Sequence, residues 1–78
     1  MKELLLSRGF VFIGVGCSCN GNPDVYQIPS IDGYKVEIKG GGDSWWIKQR
    51  INRVTWSGIV GGGDIASLEL NLTKYFNK

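Results

Sequence analysis

Seventy-eight residues with a net charge of +2 make a chain of one small domain, residues 1–78, too mildly basic for a dense non-specific DNA binder. It contains no histidine, which excludes Ser-His-Asp and Cys-His nucleophilic catalysis, histidine acid–base chemistry and most zinc enzymes. A chain this short buries only about 60–65 % of the surface its unfolded form exposes, so each large apolar side chain is expected to be structural.

Lys2 to Arg8 reads as a short helix closed by Gly9, because glycine accepts the left-handed conformation that ends helices. The run Phe10-Val11-Phe12-Ile13-Gly14-Val15-Gly16 is apolar on both alternating faces, which predicts a central, covered strand. With Lys2 and Arg8 before it and Gly16-Cys17 after it, the same run resembles a bacterial lipoprotein signal, and that resemblance implies a lipid-anchored surface protein. Glu3 and Arg8 interrupt the leader, and Gly14 stands where the lipobox has leucine, so the buried strand is the preferred reading. No segment approaches the ~20 apolar residues that span a membrane.

Cys17 and Cys19 are the only thiols. A bridge between residues two apart is strained, and two cysteines are half of a zinc ligand set. Two reduced thiols in a reducing compartment are expected, with no metal and no cofactor. Asn20-Gly21-Asn22-Pro23 marks a turn, Val25 to Ile28 a short strand ended by Pro29, and Ile31-Asp32-Gly33 the next turn. Tyr34, Val36 and Ile38 alternate with Lys35, Glu37 and Lys39, the pattern of a strand with one dry and one wet face.

Gly40-Gly41-Gly42-Asp43 recurs as Gly61-Gly62-Gly63-Asp64, read as two similar connections that each end in an aspartate able to accept backbone N–H bonds. Asp64 is the expected N-cap of a helix over 65–76, whose packed face carries Ile65, Leu68, Leu72, Tyr75 and Phe76, with Leu70 at its edge. Between the two glycine runs, Trp45 to Trp56 holds all three tryptophans and three of the nine basic residues. Its β-branched and aromatic content predicts two strands, about 45–49 and 53–59, joined by a turn around Arg50-Ile51-Asn52. The expected fold is α+β: a small antiparallel sheet of four or five strands, a short N-terminal helix, and a C-terminal helix packed on one face.

Strand alternation divides the tryptophans. Ile47 draws Trp45 into the core, which sends Trp46 outward with Lys48; on the next strand Val54 and Trp56 point in while Arg53 points out. The open face then carries Trp46 among Lys35, Lys39, Lys48 and Arg53, with Arg50 at the turn. Tryptophan and arginine anchor many interfaces, so this is the expected partner-binding site. The plain alternative covers Trp46 with the N-terminal helix or with Phe10 and Phe12 and leaves the charges as an ordinary solvated face. With no catalytic residues in view, the expected protein is a cytoplasmic, non-enzymatic binding module. It docks onto a larger protein or protein–nucleic acid assembly, in the manner of phage or mobile-element accessory proteins. Binding of single- or double-stranded nucleic acid, by base stacking and phosphate neutralisation, is the alternative, and the lipid-anchored surface protein comes third.

Overall fold

The computed structural model describes residues 2–16, 18, 21–39 and 44–76 of the chain. The elements run α1 (Lys2–Ser7), β1 (Val11–Val15), β2 (Asp24–Gln27), β3 (Tyr34–Lys39), β4 (Ser44–Arg50), β5 (Trp56–Gly62) and α2 (Ile65–Phe76). The strands pair antiparallel in sequence order, β1-β2-β3-β4-β5. This is the α+β architecture that the residue pattern predicts. The expectations for Cys17, Cys19 and the Gly40–Asp43 connection lie outside the described residues.

Local chemistry sets the element ends. Gly9, at φ 89°, closes α1 in a Schellman turn: its N–H donates to the Leu6 carbonyl, and the Phe10 N–H donates to the Leu5 carbonyl at 3.0 Å. That turn delivers both Leu5 and Phe10 to the core. At the other end of the chain Asp64 caps α2, its carboxylate accepting from the Ser67 N–H at 3.0 Å. The Asp64 carbonyl accepts twice, from the Leu68 N–H that begins the helix and from the Trp45 indole at 3.0 Å. One residue thereby ties β4 to α2.

Cross-strand register sorts the sheet onto two faces. Tyr26, Val36 and Ile47 stand side by side and, with Ile38 and Trp45, form the dry face. Leu5 and Phe10 from the α1 end and Leu68, Leu72 and Phe76 from α2 complete that core, so both helices cover the same face. Two glycines of the second run belong to β5 rather than to a loop. A Cβ on Gly62 would come within 3.0 Å of the Trp45 ring, so this glycine makes room for the indole to lie across β5. No helix among the described residues is long and apolar enough to cross a membrane.

Three expectations are corrected. First, β1 is an edge strand and not a covered central one: Val11, Phe12, Ile13 and Val15 are 45–59 % exposed. The buried member of that run is Phe10, which precedes the strand. Second, β5 starts at Trp56, because Asn52 Oδ1 accepts from the N–H groups of Val54 and Thr55 and holds 51–55 as a loop closed by the Ile51 N–H on the Thr55 carbonyl. Val54 is therefore 87 % exposed, and Trp56 pairs with Arg50, which places its side chain on the face opposite the core. Third, Ile65 is half-exposed, and the buried stripe of α2 begins one turn later at Leu68.

Candidate functional site

The face away from the helices is built by alternation in β3 and β4 and by the phase of β5. Lys35, Glu37 and Lys39 come from β3, Trp46, Lys48 and Arg50 from β4, and Trp56 from β5. Register sets Lys35 directly across from Lys48, a like-charge pair that is unfavourable by itself. Glu37 resolves it. Its Oε2 lies 3.3 Å from the Lys35 ammonium and its Oε1 lies 3.3 Å from that of Lys48. The same Oε1 accepts the Trp46 indole N–H at 2.7 Å. Glu37 is only 3 % exposed, shielded by the side chains it organises.

Trp56 sits beside this cluster. The Lys35 ammonium lies 4.4 Å from its ring centroid and the Arg50 guanidinium 5.0 Å away, both within cation–π range. Arg50 also reaches Asp32 at 3.2 Å, and its backbone N–H donates to the Gly33 carbonyl. Lys35 is thus shared between Glu37 and Trp56, and Arg50 between Asp32 and Trp56. Each cation is held on two sides. The result is a partly buried indole with its neighbours already oriented, which lowers the entropy lost when a partner binds.

The residues expected at the site separate into three groups. Lys35, Trp46, Lys48 and Arg50 come together. Lys39 shares their face but stands at the far end of β3, where its stem lies over the Gly21 turn: a Cβ on Gly21 would come within 2.9 Å of Lys39 Cε. Arg53 is exposed in the 51–55 loop, off the sheet. Two members were missed, Trp56 and Glu37. Asn52 carried the signal for Trp56, since an Asx turn there lengthens the connection and shifts the strand phase by one residue. Glu37 was legible as the one acidic residue flanked by Lys35 and Lys39 on a wet strand face.

Among the described residues no group of three or more His, Cys, Asp or Glu side chains gathers to hold a metal. Comparison of the chain with protein-family models, with curated proteins and with solved structures returned no match.

Proposed function

We propose that the chain is a non-enzymatic binding module that docks onto a larger protein through its basic, tryptophan-bearing sheet face, with Trp56 as the anchor and Trp46 further along the same face. The observation that carries this reading is the partly buried Trp56 ring held between Lys35 and Arg50 on the face that neither helix covers. Rigid aromatic rings with adjacent arginine are the commonest energetic centres of interfaces. The charge arrangement favours a protein over a nucleic acid. Lys35 and Lys48 share the single charge of Glu37, and Arg50 meets Asp32, so three of the four strand cations on this face already contact a carboxylate. A phosphate backbone rewards cations that it alone neutralises. A base stacking on Trp56 would also compete with the two cations already on the ring. The lipid-anchor reading is disfavoured by packing, since cleavage before Cys17 would take Leu5 and Phe10 out of the core.

Affinity capture from the source cell, comparing the wild type with Trp56→Ala and Lys35→Glu, tests the proposal. A partner captured by the wild type and lost, at least tenfold, in both variants supports it. Equal capture by all three sinks it. Retention of the wild type on nucleic acid that falls steeply with salt, and disappears in Trp56→Ala, would replace it with the nucleic-acid reading.

A further inference from the structure

β1 is hydrogen-bonded on one side only among the described residues, and it is built of Val11, Phe12, Ile13, Gly14 and Val15. It holds neither charge nor proline, two devices by which sheet edges repel other strands. The bulge between Phe12 and Gly14 turns Val15 onto the same face as Phe12, since Phe12 pairs with Tyr26 and Val15 with Asp24. Val11 stays on the opposite face. An edge of unpaired N–H and C=O groups, with exposed apolar side chains on both faces, is completed by one kind of element, another apolar strand.

We infer that this element is β1 of a second copy of the chain, paired antiparallel about a two-fold axis between Ile13 and Gly14. In that register Phe12 of each copy stands opposite Val15 of the other, and the helix-covered faces of the two sheets lie on the same side. Charge does not oppose it: Arg8, which precedes β1, turns toward α2, where Glu69 and Thr73 engage it, and β1 itself carries no charged residue. The cations around Trp56 lie on β3 and β4, away from the junction, and a net charge of +2 adds little repulsion. The opposite sheet edge is a poorer candidate, because β5 carries glycine at positions 58, 61 and 62 and offers little side-chain area. Four half-exposed side chains fall short of the ~800 Å² per partner of a standard interface, so the dimer is weak and concentration-dependent.

Sedimentation of the wild type over a wide concentration range, beside Ile13→Lys and Ile13→Glu singly and mixed, decides the matter. The two Ile13 side chains flank the axis, so like charges there oppose pairing and unlike charges favour it. The expected result is a monomer–dimer equilibrium for the wild type, association weakened at least tenfold in each variant alone, and recovery in the equimolar mixture. Circular dichroism confirms that each variant is folded, and Val11→Lys provides a second edge charge if one is not. A wild type that stays monomeric to its solubility limit overturns the inference. So do variants that associate like the wild type, a mixture that fails to recover, or species growing beyond the dimer, which signal head-to-tail stacking. Trp56→Ala leaves this equilibrium unchanged, which separates it from the docking face.

Discussion

Glu37 shows how a buried acid earns its place in a small sheet. Each of its oxygens meets a cation, and one also accepts an indole N–H, so none of the four groups is left to be desolvated alone. Removing the acid reverses that logic. Glu37→Ala leaves Lys35 and Lys48 facing each other and the Trp46 N–H without its acceptor. The expected loss is about 3 kcal/mol of stability in urea unfolding, at the low end for a broken buried pair because both lysines keep some solvent contact. Glu37→Gln keeps an acceptor for Trp46 but not the charge, so about half that loss is expected. Equal losses in the two variants would mean that the hydrogen bond to Trp46 contributes nothing.

At the scale of elements, α2 depends on the residue before it. The Ser67 N–H, and then the Ser67 hydroxyl, hold the Asp64 carboxyl below the usual carboxylate range, with desolvation a smaller opposing effect. A depressed pKa means that the stabilisation is present above the unfolded value, about pH 4, and is lost as pH falls through the folded one. Asp64→Asn keeps a good cap and removes only the charge. The wild type is therefore expected to melt above Asp64→Asn at pH 7, with the gap closing as pH drops below about 4. A gap that persists at pH 2 would contradict the assignment. This helix was legible from sequence to its bounds, 65–76, because its cap and its three- and four-residue spacing are local signals. The alternation of Tyr34, Val36 and Ile38 was equally local. What was not legible depends on partners remote in sequence. An apolar run such as Val11–Val15 cannot itself say whether it has a neighbour on both sides, and the phase of β5 follows from the loop before it, where a shift of one residue turns Trp56 from core to surface.

For the molecule as a whole, the sheet divides its labour between faces, and two tryptophans on paired strands report on each. Trp45 is buried against both helices' core, rests on Gly62 and donates to Asp64, so it joins β4, β5 and α2. Trp45→Ala removes all of this at a cost of about 3–5 kcal/mol, comparable with the entire stability of a domain this size. Most of the chain should then be unfolded at 37 °C by circular dichroism. Trp56 lies on the face opposite the dry core, where Lys35 and Arg50 hold its ring. Trp56→Ala gives up two cation–π contacts and the partly buried area of the ring, about 2 kcal/mol, less than the core indole costs. That variant should remain folded, with near wild-type cooperativity in urea, while losing partner capture. If Trp56→Ala instead unfolds the chain as Trp45→Ala does, the ring is part of the structural core and the docking face must be sought elsewhere. Fluorescence gives an independent reading of the same division. In Trp46→Phe, iodide should quench the emission of Trp56 and leave that of Trp45 largely untouched, because one indole meets solvent and the other does not.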